Sequence, residues 1–505
     1  MSPHVESGRI ALPGAGRLFS KVDSGWAAFV FGIVGLKLVL FALDPIPKFF
    51  FGDSGWYLGT AFMDMIPVDR SFTYGYLIRL LSFGSRSFTP LLVSQVLAGA
   101  AVAILLAYSL KKHFSVGSGV ACAAGFLCAV EPIQLLYERE VMTEAFSLFY
   151  FALYMVSAFE YLSGRRLGRL CVAQILGTAL LSLRVSFLPV VLANAVVLPL
   201  VASFVHFREN GPGGESAGSR SGPAAPKWLA RPGAFLGVHL LVSLCFTFAL
   251  HAGYKQVSSK ITGCPPAYNA AGGFFLASIW APVVEPVDFP HLELRDEVFG
   301  GLLYDLKDRS LRNEHNFADG GLADRIRRVL PGPAGNKAAS ETAMNALRRD
   351  PLAVMVLSLQ TLGDYFNLEI LREKILNDLG MDAEGMQLYA DWQLDCGEFM
   401  EFPGPVGQPQ ADTWTRAYYR LAVPWYWFLI FSPVPAGAAL FFARNAPAAL
   451  APRIAVFLAV CACAAVACFL TVFPVVRYLH PVSWLVFFPI ACLVGGGKGS
   501  GRWKN

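Results

Sequence analysis

Long apolar blocks recur along the chain, and short polar segments separate them. Most blocks hold about twenty residues, which is the length that an α-helix needs to cross a hydrocarbon layer of about 30 Å. The pattern therefore predicts an all-α polytopic membrane protein with about ten transmembrane helices. The predicted spans are 26–43, 88–110, 116–134, 142–162, 168–183, 187–205, 233–252, 421–443, 453–474 and 482–496.

Basic residues fall in alternate loops between the predicted spans. They are Lys111 and Lys112; Arg165, Arg166 and Arg169; Arg208, Arg220, Lys227 and Arg231; Arg444 and Arg453; and Lys498, Arg502 and Lys504. Because membrane proteins keep Lys and Arg on the cytoplasmic side, we predict that these loops and both termini are cytoplasmic. Each cytoplasmic loop fits this assignment, which favours an even number of spans.

The same pattern divides the chain into three parts. The predicted parts are an N-terminal membrane module over 1–252, a large outer insert over 253–420 and the last spans over 421–505. In the first outer loop, 44–87, apolar residues at helical spacing predict two short helices at the membrane surface, one of them directly after Asp53. A Gly-, Ser- and Pro-rich stretch predicts that 206–232 is a flexible cytoplasmic linker.

The outer insert is large enough to form a small soluble domain. Ala343 to Phe366 contains an apolar run too short to cross a membrane, so we predict an interfacial helix there. Cys264 and Cys396 also lie in the insert, where they either form a disulfide in an oxidising compartment or stay free. Most other cysteines lie in apolar blocks, and no CxxC or Cys/His spacing predicts a metal site.

Composition excludes a water-soluble protein of this size. The chain is 55% hydrophobic and 15% charged, with a mean hydropathy of +0.49, whereas soluble domains carry about a quarter charged residues. The net charge of +5 comes from basic residues in short loops, so we predict no nucleic-acid partner. No small-residue cleavage site follows the first apolar block, which we interpret as a retained span.

Asp53 is the first candidate for chemistry. It follows the first span by about ten residues in an apolar setting that includes Trp56 and Tyr57. A carboxylate just above the bilayer can meet a substrate whose reactive end lies at that depth. There it can act as general base on an acceptor hydroxyl or amine. The alternative is that Asp53 caps the helix that follows it. Asp64 and Asp69 lie nearby, so the acid is not unique in this loop.

A second group of charges precedes the fourth span, in the sequence YEREVMTEAF. It contains Glu138, Arg139, Glu140 and Glu144. The four-residue spacing of Glu140 and Glu144 predicts that both lie on one face of a helix entering the membrane. Glu144 would then lie a turn inside the membrane, where a charged group is costly and usually functional. The alternative is an interfacial ion-pair cluster around Arg139.

Two arginines lie in short outer loops that otherwise avoid positive charge. Arg184 lies between the fifth and sixth spans, and Arg477 precedes the last span, followed by Tyr478 and His480. A phosphate at this interface would suit them, because guanidinium groups offer forked donors to phosphate oxygens. The alternatives are pairing with the glutamates of the second group or with lipid headgroups. Lys37, within the first span, can snorkel to the same level.

These features together resemble the GT-C superfamily of membrane glycosyltransferases. The likeness rests on the acid in the first outer loop, the YEREVMTE turn, the arginine in LSLRVSFLP and the RYLHP turn before the last span. The chain looks most similar to bacterial members of glycosyltransferase family 39, such as protein O-mannosyltransferases and the aminoarabinose transferase of lipid A. The likeness covers roughly residues 26–200 and, less strongly, the last two spans, whereas the insert matches nothing.

The resemblance implies an inverting transfer from a polyprenyl-phosphate sugar on the periplasmic face. In that superfamily the first-loop aspartate is the catalytic base, and the matching position here is Asp53. The family often has Asp-Glu there, whereas Ser54 follows Asp53 here, which leaves open whether Glu138 or Glu140 assists. Some members use a divalent metal such as Mg or Mn and others do not. No DxD-type cluster settles this, so no metal ligand or other cofactor is assigned.

We therefore predict a glycosyltransferase of the bacterial inner membrane that uses a polyprenyl-phosphate donor and a cell-surface glycan, lipid or protein acceptor. The candidate residues are Asp53, Glu138, Glu140 and Glu144 for catalysis and the substrate pocket; Arg139, Arg184, Arg477 and His480 for phosphate; and Lys37, Trp56, Tyr57 and Tyr478 for the pocket wall. The alternatives are a lipid-linked glycan flippase or transporter, and a glycan polymerase or ligase. Unequal halves and ionisable groups at the outer edge disfavour a transporter.

Overall fold

The computed structural model describes residues 24–50, 52–210, 232–381, 383–406, 408, 410–441 and 449–495. Most of the linker predicted over 206–232 lies outside these ranges. So do the basic residues Arg220, Lys227, Arg231, Arg444, Lys498, Arg502 and Lys504, whose cytoplasmic side was predicted. Over the described ranges the chain forms helices without a β-strand, and an isolated backbone bridge joins Lys48 to Glu140. The predicted all-α class is confirmed.

The N-terminal module is built from long and short helices in alternation. Their bounds are α1 Ser24–Leu43, α2 Ser54–Phe62, α3 Phe72–Ser82, α4 Thr89–His113, α5 Ser118–Ala129, α6 Pro132–Tyr137, α7 Glu144–Gly164, α8 Leu167–Leu183, α9 Leu188–Asn210 and α10 Pro232–Thr262. Helices α2 and α3 are the two short helices predicted in the first outer loop. The predicted third span breaks at Pro132, which lacks the N–H needed to continue a helix, and Glu131 caps α6 by accepting from Gln134 N at 2.7 Å.

The outer insert is a series of shorter helices. Their bounds are α11 Gly272–Ile279, α12 Leu292–Gly300, α13 Arg312–Phe317, α14 Leu322–Val329, α15 Pro333–Arg349, α16 Pro351–Asp364, α17 Leu368–Asp378, α18 Ala383–Cys396 and α19 Trp414–Leu421. The single interfacial helix predicted over 343–366 is wrong, because Pro351 ends α15 and starts α16. Asp350 caps α16 by accepting from Ala353 N at 2.8 Å. Helix α16 still exposes apolar residues, namely Leu352, Met355, Val356 and Leu359.

The chain ends in a second group of membrane helices. Their bounds are α20 Val423–Ile430, α21 Pro433–Phe441, α22 Leu450–Phe469, α23 His480–Leu485 and α24 Phe487–Gly495. Seven helical segments of the described chain are long and apolar enough to cross a membrane, or eight if α20 and α21, which bend by 50°, count as one span. Helices α5 and α8 are apolar but shorter. The chain is an integral multi-pass membrane protein, and the exact number of ten spans stays a prediction.

Polar contacts gather at two opposite ends of the helix bundle. At the end predicted to be cytoplasmic, Lys112 of α4 pairs with Glu160 of α7. There too, Arg165 contacts the His206 ring nitrogen at 3.5 Å, and the His206 ring stacks on Phe235 with centroids 4.8 Å apart. At the other end lie the first outer loop, the turn before α7 and the turn before α23. The C-terminal ends of α4 and α7 therefore lie together, and the orientation predicted from loop charge stays a prediction.

The outer insert has a hydrophobic core of its own and also contacts the membrane helices. The core residues include Phe274, Ala277, Val298, Leu322, Ile326, Ala339 and Val354. Trp280 Nε1 donates to the Phe469 carbonyl oxygen at 3.2 Å, at the end of α22. In and just after α17, Leu371, Ile375 and Leu379 pack into the core of the membrane helices, as do Tyr365 and Tyr419. The insert is therefore anchored to the bundle through its C-terminal part.

Two local expectations from the sequence are corrected by the structure. Glu140 and Glu144 do not share a helix face, because α6 ends at Tyr137 and α7 begins at Glu144, with Glu140 in the turn between them. Glu144 is therefore the first residue of α7 rather than a turn within it. Cys264 and Cys396 are both free thiols, so the disulfide alternative is not the one the structure adopts.

Gly99 gives a test of how tightly the bundle closes on its buried charges. A Cβ atom at Gly99 would lie 1.7 Å from Glu138 Oε1, and this carboxylate cannot withdraw without leaving Lys37. We expect Gly99→Ala to destabilise the detergent-solubilised protein by about 1–3 kcal/mol, as overpacking of a core does. Thermal unfolding measures this. Gly119→Ala is the control, because a Cβ there meets nothing within 4 Å. Equal melting temperatures for the two variants would contradict the packing described.

The predicted orientation can be tested by labelling single cysteines in intact cells. Lys337 is exposed in the insert, and Arg166 is exposed between α7 and α8. In a background without native cysteines, we expect a membrane-impermeant maleimide to label Lys337→Cys in intact cells, and Arg166→Cys only after permeabilisation. The reverse labelling pattern would put the insert on the cytoplasmic side and overturn the orientation.

Candidate functional site

Backbone contacts hold the first outer loop against two distant parts of the chain. Lys48 N donates to the Arg139 carbonyl oxygen at 2.7 Å, and Val141 N donates to the Lys48 carbonyl oxygen at 2.8 Å. On the other side, the amide of Gln410 accepts from Phe49 N and donates to the Phe49 carbonyl oxygen, both at 3.0 Å. The loop is thus fixed between the turn before α7 and the end of the outer insert.

Asp53 lies at the start of α2 but does not cap it. Its backbone is helical, with φ −97° and ψ −43°, and its side chain makes no cap hydrogen bond. Instead, Arg70 Nε donates to Asp53 Oδ1 at 2.5 Å, and Arg477 Nη1 donates to Asp53 Oδ2 at 2.6 Å. The helix-cap alternative is therefore wrong. The carboxylate joins the first outer loop to the turn before the last span.

Arg184 lies near this pair, and one aromatic ring lies close to both arginines. It forms an ion pair with Glu144, the first residue of α7, and its Nε donates to Ser186 Oγ at 3.0 Å. The Tyr478 ring lies 5.0 Å from the Arg184 guanidinium and 5.8 Å from that of Arg477. A cavity of about 20 Å³ opens between the two arginines and Tyr478. The sequence predicted this convergence, and the pairing of Arg184 with Glu144 was one of its alternatives.

The two guanidinium groups keep Asp53 ionised. Burial alone would raise its pKa, but Arg70 and Arg477 lower it from the usual 3.8 to about 2. Because the pKa is lower in the folded state, the cluster stabilises the fold above about pH 4 and loses this contribution as the pH falls towards 2. In this arrangement Asp53 stays ionised at neutral pH and is a weak base.

Asp378 adds a second carboxyl of the opposite character. It is the last residue of α17, is 6% exposed, and accepts from the Tyr419 hydroxyl at 3.4 Å. Burial raises its pKa to about 7, although Arg477, Tyr419 and Arg184 each lower it. The side chain is thus within electrostatic range of both arginines. The outer insert therefore contributes a titratable group to the cluster.

Lys37, Glu138 and His480 belong to a separate buried network. Lys37 Nζ donates to Glu138 Oε1 at 2.5 Å, so the snorkelling expected of this lysine is wrong. Gln134 bridges the network, because its Nε2 donates to Glu138 Oε1 at 2.9 Å and its Oε1 lies 2.6 Å from His480 Nε2. These side chains bond to one another inside the bundle, while Glu138 Oε2 has no hydrogen-bond partner in the described part of the chain and lies 3.8 Å from Arg139 Nη1.

Arg139 donates hydrogen bonds to the main chain and does not line the arginine cavity. Its Nε donates to the Asp44 carbonyl oxygen at 3.0 Å and its Nη1 to the Leu135 carbonyl oxygen at 2.7 Å. Its nearest carboxylate oxygen is Glu138 Oε2 at 3.8 Å, so the ion-pair cluster expected around Arg139 centres on Lys37 and Glu138 instead. No sequence pattern predicts these contacts, because a residue of any type can supply a main-chain carbonyl group.

The remaining candidates, Tyr57, Trp56 and Glu140, differ in their burial and in their distance from the site. The Tyr57 ring is buried against Tyr74, with centroids 5.0 Å apart, on the helix that Asp53 precedes. Trp56 is 42% exposed on the outer face of the same helix. The Glu140 carboxyl is buried near the Lys48 bridge, where burial and the neighbouring Glu144 raise its pKa well above the usual range.

An apolar groove lies on the opposite side of α22 from the arginine cavity. Its volume is about 280 Å³. It is lined by α16, α20, α21 and α22, with residues including Leu359, Phe366, Phe431, Ala465 and Cys468. Val466 and Cys463 of the same helix line the arginine cavity. One helix therefore separates a cationic cavity from a groove that suits hydrocarbon.

Sequence reasoning missed two members of the cluster. Arg70 met only part of the criterion that singled out Arg184 and Arg477, because it lies in a predicted outer loop, but that loop is long and also holds Lys48, Arg79 and Arg86. Asp378 carried no such signal, because it lies in a hydrophilic insert with many acids and only the packing of α17 brings it to the membrane helices.

The cluster does not fit a divalent cation. In the part of the chain that is described, no three His, Cys, Asp or Glu side chains come close enough to hold a metal ion. Both oxygens of Asp53 are bonded to guanidinium groups, and Arg184 occupies Glu144, so positive charge already fills the positions that a metal would take. We derive no chemical step through a metal here.

Comparisons with protein-family models, with curated proteins and with solved structures find no significant match to this chain. The resemblance to membrane glycosyltransferases therefore rests on the motifs in the sequence and stays a prediction.

A double-mutant cycle can measure the pair at the centre of the site. Removing either partner leaves a largely buried charge, so we expect Asp53→Asn and Arg477→Gln each to destabilise the protein, and the double variant by less than their sum. The expected coupling is about 1–3 kcal/mol. The control is the cycle on Asp64 and Arg79, whose side chains are 76% and 43% exposed and whose coupling should stay below about 1 kcal/mol. Equal couplings in the two cycles would contradict the burial described.

Proposed function

We propose that this protein is a membrane glycosyltransferase that moves a sugar from a polyprenyl-phosphate donor to an acceptor at the outer face of the membrane. The observation that carries the proposal is the meeting of Arg184, Arg477 and Asp53 around Tyr478, next to an apolar groove. Such a substrate has a hydrocarbon tail, a phosphate and a reactive sugar carbon. Each of these parts has a chemical counterpart within this region.

The arginines are held ready for an anion by carboxylates that a phosphate can replace. Each guanidinium is paired in the absence of substrate, Arg184 with Glu144 and Arg477 with Asp53. The cavity between them, about 20 Å³, is too small for a phosphate group, so it has to widen on binding, and in this proposal the arginines leave their carboxylates for the phosphate. Phosphate oxygens offer the arginines forked acceptors in return, and the exchange keeps the cations ordered throughout.

The same exchange activates Asp53. Paired with two guanidinium groups it is a weak base, and losing one of them to phosphate raises its basicity. It then accepts the proton of an acceptor hydroxyl as the oxygen bonds to the anomeric carbon. The bond from that carbon to the phosphate oxygen breaks on the opposite face, which inverts the configuration. The electron pair leaves with the polyprenyl phosphate, whose charge the arginines stabilise.

The apolar groove gives the donor's tail a location. It borders α22 on the side away from the arginine cavity, and Leu479 of the Arg477 turn contributes to its lining. In this proposal the tail passes around the end of α22, where Phe469 and Leu479 line the groove and Leu479 lies two residues after Arg477. Binding energy from a distant tail can in this way position the reacting carbon.

Asp53→Asn tests the proposal directly. We expect the variant to fold and insert but to transfer sugar about 10²–10⁴ times more slowly, because an amide cannot accept the acceptor's proton. The assay uses the purified protein in nanodiscs with synthetic polyprenyl-phosphate monosaccharides and membrane-derived acceptors, and it measures the release of free polyprenyl phosphate. Asp64→Asn is the matched control, because Asp64 lies in the same loop and is 76% exposed.

The outcomes separate the alternatives. An active Asp53→Asn variant would remove the assignment of the base. Movement of intact lipid-linked sugar across the membrane, without release of polyprenyl phosphate by the wild type, would favour a flippase. Release only from a donor that carries a glycan chain would favour a polymerase or ligase.

A further inference from the structure

Two arginines hold Asp53, and they differ in their access to the cavity at the site. Arg70 Nε donates to Asp53 Oδ1 and Arg477 Nη1 donates to Asp53 Oδ2, so each carboxylate oxygen has its own guanidinium. Arg477 lines the arginine cavity, whereas Arg70 is not among the residues that line it. An anion that enters the cavity therefore reaches Arg477 and not Arg70.

Arg70 is fixed by contacts other than the one with Asp53. Its Nη1 donates to Asp69 Oδ2 at 2.8 Å and to the Asp69 carbonyl oxygen at 3.2 Å. Its guanidinium also lies 5.6 Å from the centre of the Phe275 ring, which belongs to α11 of the outer insert. Because a second carboxylate, a carbonyl group and an aromatic ring all attract this guanidinium, it has little to gain by moving towards another anion.

The outer insert also holds the main chain next to Arg70. Asn269 Nδ2 donates to the Asp69 carbonyl oxygen at 3.2 Å. Ala270 N donates to the Val68 carbonyl oxygen at 2.9 Å. The part of the first outer loop that carries Arg70 is therefore bonded directly to the segment that leads into α11, and the arginine starts from a fixed backbone.

Arg477 has a firm turn but a less fully bonded side chain. The Tyr365 hydroxyl accepts from Val475 N at 3.0 Å and donates to the Val475 carbonyl oxygen at 3.2 Å, which fixes the main chain two residues before Arg477. The guanidinium lies 4.5 Å from the centre of the Phe50 ring and bonds to Asp53 through Nη1. Its Nε is buried without a hydrogen-bond partner among the described residues. The side chain can therefore change its partner while the turn stays in place.

We propose that Arg70 is a positioning residue for Asp53, an inference that rests on the transfer proposed above. Arg70 holds Oδ1 throughout, whereas Arg477 leaves Oδ2 for the donor phosphate. Oδ2 then accepts the proton of the acceptor hydroxyl, and the electron pair of that O–H bond forms the bond to the anomeric carbon. The electron pair of the broken carbon–oxygen bond leaves with the polyprenyl phosphate.

Arg70 stays charged and gives up no proton in this sequence. Its effect is to hold the carboxylate in one orientation after the other guanidinium has left, so that the free oxygen faces the acceptor. After the products leave, Oδ2 releases its proton to solvent and pairs with Arg477 again. Atoms and charge therefore balance over the cycle.

This division between the two arginines has a consequence for the pH dependence of the rate. Burial alone would raise the pKa of Asp53, but Arg70 and Arg477 lower it to about 2. The charged or titratable groups around Asp53 in the described chain are Arg70, Arg477 and Tyr57, and further out Asp69, Tyr478, Glu144 and Asp378. Removing Arg70 raises the pKa of Asp53, so protonation inactivates the base at a higher pH than in the wild type.

The experiment measures kcat and the donor KM from pH 4 to pH 8, and the binding of undecaprenyl monophosphate, with the protein in nanodiscs. For Arg70→Gln we expect kcat to fall about 10²-fold and its acidic limb to move up by about one pH unit or more. Affinity for undecaprenyl monophosphate should stay within about threefold of the wild type, because Arg70 does not meet the phosphate. Arg70→Lys should keep the wild-type acidic limb, since it retains the charge, with a kcat between those of Arg70→Gln and the wild type.

Arg79→Gln is the matched control. Arg79 lies in the same loop and pairs with Asp64, and its side chain is 43% exposed. We expect this variant to match the wild type in kcat, in the acidic limb and in binding. Thermal unfolding of each variant shows whether it is folded. If Arg70→Gln does not fold, Arg70→Lys decides, and a wild-type kcat in Arg70→Lys would then overturn the proposal.

The remaining outcomes separate this inference from the proposed function. An acidic limb that stays at the wild-type pH in folded Arg70→Gln would overturn the positioning role while leaving the transferase intact. A loss of undecaprenyl monophosphate binding as large as the loss of kcat would make Arg70 a phosphate ligand and would also overturn it. If the wild type releases no polyprenyl phosphate from any donor, the proposed transfer fails and takes this inference with it.

Discussion

The structure depends on the rule that a charge at the edge of a membrane must be paired. Three arginines at the outer end of the bundle are largely shielded from water, and each pairs with a carboxylate. Arg477 and Arg70 pair with Asp53, and Arg184 pairs with Glu144. The Arg477 and Arg184 pairs join separate parts of the chain, whereas the Arg70 pair closes the first outer loop on itself. The pairing requirement therefore also assembles the outer end of the fold.

The ion pairs that hold the outer loops together involve the same side chains that are proposed to react. The ion pair that holds two loops together can also be exchanged, because another anion can bind the arginine and release the carboxylate. The separate Lys37 and Glu138 network has no such freedom, because Gln134 and His480 complete it deep in the bundle. The difference between the two networks is access. Arg184 and Arg477 of the first network line a cavity, whereas the side chains of Lys37 and Glu138 are fully buried.

Much of the fold could be predicted from the sequence, because hydrophobic period and loop charge act locally. The apolar blocks, the helices α2 and α3 and the convergence of Asp53 with Arg477 and Arg184 all followed from such signals. The breaks at Pro132 and Pro351 were visible in principle, since proline lacks the donor that a continuing helix needs. The predicted chemistry itself remains to be tested by the experiments above.

What the sequence could not supply is the partner of each polar group. Arg139 uses main-chain carbonyl groups, and Gln410 pairs with the main chain of Phe49, so neither contact depends on a recognisable pair of residue types. The place of Asp378 depends on how α17 packs, which is a tertiary property. A single acid among many in a hydrophilic insert gives no hint of this.

The bond between Tyr365 and Val475 has a mechanical consequence. Because one hydroxyl both donates to and accepts from the main chain before Arg477, the outer insert cannot tilt away from the bundle without pulling on that turn. A displacement of the insert would therefore be transmitted through Val475 to the turn that carries Arg477.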